Sequence, residues 1–190
     1  MFIFPLLKHV FGKETLSPDA TQPAPDPEAD AATYREGIST LMRLQSNRCT
    51  TCKMPRNRAT VTELFFLNAK HIVRIYEPQP NPETYDNEDL LIEANIFVRK
   101  GGRIQFLHGP QITKLGELLQ RLSAEGFIQA QQKTLKPAQT TPEESRMGFS
   151  FTLMDETAAR TTSGDSSVFC AQSDLGKSLA TSFQTIWTKS

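Results

Sequence analysis

The stretch that decides the fold is HIVRIYEPQPNPETYDNEDLLIEANIFVRKGGRIQFLHGP, residues 71–110. Its first seven residues are rich in β-branched and aromatic side chains and stop at a proline, which is typical of a strand. Asp86 or Asn87 can cap a helix, and the Gly101-Gly102 pair can end it. A second short apolar strand follows. This order predicts two neighbouring parallel strands joined by a right-handed crossover.

Similar elements continue on both sides of this stretch. The sequence predicts helices over Tyr34–Leu44, from a capping box at Thr60 and after Thr113, two antiparallel strands over Met147–Met154 and Ser167–Ala171, and a last helix from Asp174. Phe127–Gln132 is a third candidate for the parallel set. We therefore expect an α/β fold with a mixed, mostly parallel sheet and helices on both faces.

The sequence predicts that the chain has three parts. Residues 1–14 contain the amphipathic sequence MFIFPLLKHVFGK, and residues 15–32 form an acidic, proline-rich linker without aromatic or basic side chains. The α/β domain then covers residues 33–190. Three roles remain open for residues 1–13: packing back onto the domain, docking a protein partner, or contacting a membrane surface.

The composition narrows the class of protein and its compartment. The 190 residues include 21 basic and 21 acidic side chains, and the apolar runs are too short to span a bilayer. Three cysteines cannot form a fully paired disulfide framework, and the N-terminus lacks a small-residue cleavage site. We expect reduced thiols and a cytoplasmic protein.

Three stretches carry a resemblance to a known family: residues 71–110, the strand FSFTLMDE (149–156) and the ending DSSVFCAQSDLGKSLATSFQTIWTKS (165–190). Together they resemble one half of a phospholipase D-like fold, over roughly residues 60–190. The resemblance implies a single-domain member of that superfamily, with its mixed, mostly parallel sheet between helices.

The same resemblance implies that the family's reaction is lost. The family signature is His-x-Lys-x-x-x-x-Asp, in which the imidazole attacks a phosphodiester, the ammonium holds phosphate oxygens and the carboxylate orients the imidazole. With Asp155 at the signature aspartate, Gly148 stands at the histidine and Ser150 at the lysine. Neither His71 nor His108 is followed two residues later by lysine, so no shift of register restores the signature.

These observations favour a pseudoenzyme: a non-catalytic binding or regulatory module. The resemblance implies a homodimer, because active single-motif relatives assemble one site from two chains, and the N-terminal segment suggests docking of a protein partner. A phosphodiesterase with a rearranged site survives only if another residue replaces the missing histidine.

A basic stretch suggests an alternative function. Between positions 43 and 74 the sequence has seven basic residues and one acidic residue, Glu63, which gives a local charge of +6. The basic residues are Arg43, Arg48, Lys53, Arg56, Arg58, Lys70 and Arg74. Such a surface can hold a phosphate backbone, which predicts a nucleic-acid-associated protein. A solvated basic face, or one covered by the acidic linker, explains the charges equally well.

Cys49-Thr-Thr-Cys52 is the one short motif with metal-ligand spacing. A structural zinc site would need two more ligands, for which Cys170 and His71 are the candidates, at irregular spacing. A redox pair would place its first thiol at a helix N-terminus, and this pair follows a helix instead. Free thiols are the third interpretation, and we expect no cofactor.

Overall fold

The structure is a computed structural model that describes residues 26, 29–44, 49–52, 54–135, 149–163, 166–171 and 173–190. Its helices are α1 (Ala31–Arg43), α2 (Pro55–Asn68), α3 (Pro82–Tyr85), α4 (Glu88–Arg99), α5 (Lys114–Ala124) and α6 (Ser173–Lys189). Its strands are β1 (Cys49–Thr51), β2 (Ile72–Glu77), β3 (Arg103–His108), β4 (Ala130–Thr134), β5 (Ser150–Met154), β6 (Ala158–Ser163) and β7 (Ser166–Cys170). The N-terminal segment 1–14 and most of the linker lie outside the described residues. No described helix is long and apolar enough to cross a membrane.

The seven described strands form one sheet in the order β1-β7-β6-β5-β2-β3-β4. This confirms the mixed α/β class and the parallel pairing of the two strands in residues 71–110. Five strands run in one direction, but only β2–β3 and β3–β4 are parallel neighbours, and the other four pairs are antiparallel. "Mostly parallel" is therefore right for strand direction and wrong for pairing. Turns too short for a crossover join β5, β6 and β7, so these strands must alternate in direction.

Strand β6 is an element that the sequence analysis missed. Its residues, Ala-Ala-Arg-Thr-Thr-Ser, show no apolar alternation, yet five of the six positions are buried. It lies between β5 and β7, so both of its edges are hydrogen-bonded. Hydrophobic periodicity detects strands that bury apolar side chains, whereas β6 buries polar ones.

Local sequence signals explain where most helices begin. Asn87 caps α4 and Thr113 caps α5, each with its side chain accepting a backbone hydrogen bond of the first turn, as predicted. The predicted start at Thr60 is wrong, because α2 begins at Pro55 and Thr60 lies inside it, donating to the carbonyl of Arg56. Proline suits the first turn of a helix because its missing N–H has no helical partner there.

The sheet carries one hydrophobic cluster on each face. Helices α1 to α5 cover the first face, where Val73, Ile75 and Phe106 contribute to the cluster. Helix α6 covers the second face, where Tyr76 and Phe183 do so. Side chains alternate between faces along a strand, and strands β2, β3, β5, β6 and β7 each contribute to both clusters.

Candidate functional site

A buried polar cluster lies on the first face and is centred on Arg160, whose side chain is 1% exposed. Its Nη2 donates to Tyr85 Oη and to Thr152 Oγ1, each at 2.9 Å, and its Nη1 donates to Thr162 Oγ1 at 3.2 Å. The carboxylate of Glu77 lies 3.9 Å from Nη2. We name this set the Arg160 cluster; it comprises Glu77, Tyr85, Ser150, Thr152, Arg160, Thr162 and Ser167.

Four neighbouring strands and one helix bring the Arg160 cluster together. Thr152 of β5 lies directly opposite Arg160 of β6 in the sheet register, so the two side chains share a face. Glu77 ends β2, on the other side of β5. Tyr85 comes from α3 and donates to Glu77 Oε2 at 2.9 Å. The short helix α3 thus covers the carboxylate.

The charges of the Arg160 cluster balance internally. Burial raises the pKa of Glu77, while Arg160 and hydrogen bonds from Tyr85 and Ser150 oppose the rise. Burial also raises the pKa of Tyr85, so its hydroxyl is neutral and can donate to Glu77. Burial works against charge on Arg160, but Tyr85 and Glu77 outweigh it and hold the Arg160 pKa above its ordinary value. One cation and one carboxyl group therefore face each other away from water.

The structure separates the positions aligned with the family signature. Ser150 is 1% exposed, and its hydroxyl hydrogen-bonds Glu77 inside the Arg160 cluster. Asp155 lies just beyond the other end of β5, five residues away and therefore about 17 Å along the strand. Gly148 lies outside the described residues. Of the two described positions, Ser150 contributes to the candidate site and Asp155 does not.

Asp155 anchors the backbone instead of orienting a catalytic group. Its carboxylate accepts hydrogen bonds from the backbone N–H groups of Lys70, His71 and Ile72, at 2.5, 3.0 and 2.7 Å. These groups lead into β2, so Asp155 fixes where that strand begins. Its φ of 46° places it in the left-handed region, in the turn after β5. The role implied by the resemblance is therefore not the one seen here.

The predicted basic stretch is dispersed along α2. Arg56 lies near the start of this helix and Lys70 just beyond its end. The helix has 14 residues and is about 21 Å long, so these two cations lie near its opposite ends. Arg58, between them, is half-buried, and its Nε donates to the carbonyl of Cys52 at 3.4 Å. It therefore points inward and does not extend an exposed surface.

The other basic residues that the structure describes, Arg74 and Arg43, do not lie on α2 either. Arg74 lies on the second face of the sheet, where its Nη1 is 3.3 Å from a carboxylate oxygen of Glu156. Arg43 is exposed at the end of α1. Arg48 and Lys53 lie outside the described residues. Binding of nucleic acid by this set stays a prediction of the sequence.

The cysteines contradict both the metal interpretation and the expectation of reduced thiols. Cys49 of β1 lies opposite Cys170 of β7 and forms a disulfide with it, with an S–S distance of 2.08 Å. Cys52 is the remaining thiol; it is buried and accepts a hydrogen bond from Tyr34 Oη at 3.2 Å. Burial raises the pKa of Cys52 to about 11. Cys49 and Cys52 therefore cannot act as a pair of zinc ligands or as a redox pair with each other.

The described residues contain no group of three or more His, Cys, Asp or Glu side chains that could hold a metal ion. His71 is exposed at the entry to β2. His108 ends β3, with its ring 4.7 Å from the ring of Phe106 and its Nδ1 2.6 Å from the carbonyl oxygen of Gly109. His108 is thus a packed residue at a turn.

Sequence reasoning missed the centre of the candidate site. Arg160 falls in a stretch for which no element was predicted, and Glu77 was noticed only as the end of a strand. A charged residue among alanines and threonines was the available signal, but nothing in the sequence places it opposite Thr152. That pairing depends on the register between β5 and β6.

Comparisons with known proteins agree with the architecture. No family model and no curated protein matches the chain. It is similar to the solved structure of TrmBL2, described as an archaeal chromatin protein with a novel mode of DNA binding, at 14% identity and a TM-score of 0.50. The match covers 85% of this chain and 62% of that one, and it shows a shared fold alone.

A second similar structure is Nuc from Salmonella typhimurium, described as a phospholipase D family member. The identity is 11% and the TM-score 0.47, with 74% of this chain and 93% of that chain covered.

Proposed function

We propose that this chain is a non-catalytic, single-domain relative of the phospholipase D-like superfamily and acts as a binding or regulatory module. The observation that carries the proposal is the burial of Ser150. This residue stands at the position of the signature lysine, is 1% exposed and is hydrogen-bonded to Glu77. A phosphodiester in solvent cannot reach it without opening the packing around β5.

The charges of the Arg160 cluster support the proposal further. Phosphodiester cleavage by this family needs a nucleophile and a cation that is free to hold phosphate oxygens. The guanidinium of Arg160 is instead engaged by three hydroxyl groups and faces Glu77. A phosphate entering here would bury a further negative charge beside a carboxylate, which is strongly unfavourable.

We expect no hydrolysis of bis(4-nitrophenyl) phosphate above the buffer rate, and no difference between the wild-type protein and a Ser150→Ala variant. A chromogenic assay across neutral pH measures both. Turnover that purifies with the protein and disappears in a His108→Asn variant would contradict the proposal. That result would favour a phosphodiesterase with a rearranged site.

Self-association and docking of a protein partner are part of the same proposal. The support is the pairing of active single-motif relatives, which the resemblance carries over to this chain. Multi-angle light scattering should give a mass that rises with concentration towards twice 21.3 kDa. A strict monomer at the highest soluble concentration would contradict self-association.

The disulfide bears on the compartment. The prediction of a cytoplasmic protein assumes reduced thiols, whereas Cys49 and Cys170 are bonded. Disulfides persist mainly in oxidising compartments and are rare in the cytosol. We therefore propose that the protein matures in a compartment where this bond can form. Counting the free thiols of the purified protein tests whether Cys49 and Cys170 are reduced.

A further inference from the structure

A polar cleft lies on the second face of the sheet, away from the Arg160 cluster. It has a volume of about 490 Å³, is open to solvent, and is bordered by α6, β2 and the turn that joins β5 to β6. Its charged side chains are Arg74, Lys177 and Glu156, and the flank of α6 adds Thr181 and Gln184.

Arg74 is held in the cleft with hydrogen-bonding capacity to spare. Its side chain is 16% exposed, and its Nη1 makes a long contact of 3.3 Å with Glu156. Its Nε is buried and has no hydrogen-bond partner in the part of the chain that the structure describes. A buried donor without a partner costs about 1–3 kcal/mol, so the long contact with Glu156 does not satisfy the guanidinium of Arg74.

Lys177 supplies a second cation from the opposite wall. It is exposed and makes no ion pair with any described residue. Thr181 and Gln184 follow it at the i+4 and i+7 positions of α6, so the three side chains lie on one flank of the helix. Two cations oppose the single carboxylate of Glu156, which leaves the cleft with one net positive charge.

The walls of the cleft are fixed by backbone packing. A Cβ atom on Gly176 would lie 2.2 Å from the carbonyl oxygen of Glu156, so α6 touches the turn directly through its backbone. Asp155, next to Glu156, is tied to the entry of β2 by three hydrogen bonds. Lys177 and Glu156 are thus held on adjoining rigid elements, and a preorganised site loses less entropy when it binds.

We infer that this cleft binds a phosphomonoester carried by a small polar molecule. The phosphate would lie between Arg74 and Lys177, where its oxygens accept charge-assisted hydrogen bonds from the two side chains. The hydroxyl and amide groups of α6 would bind the polar body. The inference does not depend on the proposed function, because Arg74 lies on the opposite face of the sheet from Arg160.

Calorimetric titration of the full chain with glycerol 3-phosphate tests the inference. We expect saturable binding that Arg74→Gln and Lys177→Gln each weaken about tenfold, the loss of one charge-assisted contact. Glu156→Gln should strengthen binding, because it removes the carboxylate that competes for Arg74. A merely structural role of these residues would not produce that increase. Lys100→Gln, an exposed cation at the end of α4, is the matched control and should bind like the wild type.

Two sets of outcomes would overturn the inference. The anion site is wrong if no binding occurs at millimolar ligand, or if Lys100→Gln weakens binding as much as Lys177→Gln does. The ligand class is wrong if glycerol, inorganic phosphate, or an oligonucleotide without terminal phosphates binds as tightly as glycerol 3-phosphate. Circular dichroism of each variant verifies that it is folded.

A further arm identifies the source of the phosphomonoester. Vesicles of phosphatidylcholine with phosphatidic acid present the same group on a surface. Co-sedimentation with these vesicles, absent with pure phosphatidylcholine and lost in Arg74→Gln, would assign a lipid headgroup. Binding of soluble glycerol 3-phosphate alone would assign a free metabolite.

Discussion

Replacing Arg160 by methionine is expected to lower the free energy of unfolding by about 3–5 kcal/mol, as when one partner of a buried ion pair is removed. The variant leaves Glu77 buried without its cation, and Tyr85, Thr152 and Thr162 without the donor that joins them. Domains are stable by only about 5–15 kcal/mol, so the loss is a large fraction of the total. Urea denaturation followed by circular dichroism measures it.

The pH dependence of this loss identifies its cause. Burial already raises the pKa of Glu77 above its ordinary value, and removal of Arg160 raises this pKa further. Below the unfolded value both states of the variant hold the proton, so no ionised carboxylate is buried. As the pH rises, the Glu77 carboxyl group loses its proton more easily in the unfolded state than in the folded state. The unfolded state is therefore favoured, and the variant loses stability. We therefore expect the largest deficit near neutral pH and a smaller one near pH 4, in the same denaturation experiment.

A double variant provides the matched control. Adding Glu77→Gln to Arg160→Met removes the unpaired charge and should restore part of the lost stability at neutral pH. The stability difference between this double variant and the wild type should also change less with pH than the difference between Arg160→Met and the wild type. An equal deficit for Arg160→Met at every pH, or a double variant that is less stable than the single one, would contradict this account of the cluster.

Replacing Cys49 and Cys170 by serine is expected to lower the free energy of unfolding by about 2–5 kcal/mol, the range seen for native disulfides. The bond joins residues 121 apart in sequence, so it restricts the unfolded chain over most of the domain. It also fastens the three-residue strand β1 to the edge of the sheet. Urea denaturation with and without dithiothreitol measures the same loss in the wild-type protein.

Thiol counting and a second variant provide the controls. Denatured wild-type protein should give one reactive thiol before reduction and three afterwards, since only Cys52 is free among the three cysteines. The stability of the double serine variant should not respond to dithiothreitol, whereas that of Cys52→Ala should respond like the wild type. Three thiols before reduction would show that the bond is absent and restore the prediction of reduced thiols.

The sequence predicted those parts of the fold that depend on neighbouring residues. The parallel pair β2–β3, the cap at Asn87 and the start of α5 follow from local composition and capping chemistry. It failed where distant residues decide the structure. Cys49 and Cys170 form a pair only because β1 joins the sheet edge beside β7. Arg160 becomes a core residue only because β5 and α3 supply its acceptors.

The candidate site was predictable only in part, for a related reason. Alignment to a family signature singled out Ser150 and Asp155 as positions of one motif, but it predicted no buried polar cluster around Ser150. A linear motif contains no information on what else surrounds its positions. Burial and partners separated the two residues: one hydroxyl lies within a buried network, and one carboxylate holds the backbone at the other end of β5.

The packing around Arg160 leaves no place for a second cation. A lysine at position 150 would bring an ammonium group next to a guanidinium, at a position where the native side chain is 1% exposed. Both cations would then compete for the one carboxyl group of Glu77. Position 150 therefore accommodates a small neutral hydroxyl and disfavours the cation that a phosphate-binding site would need there.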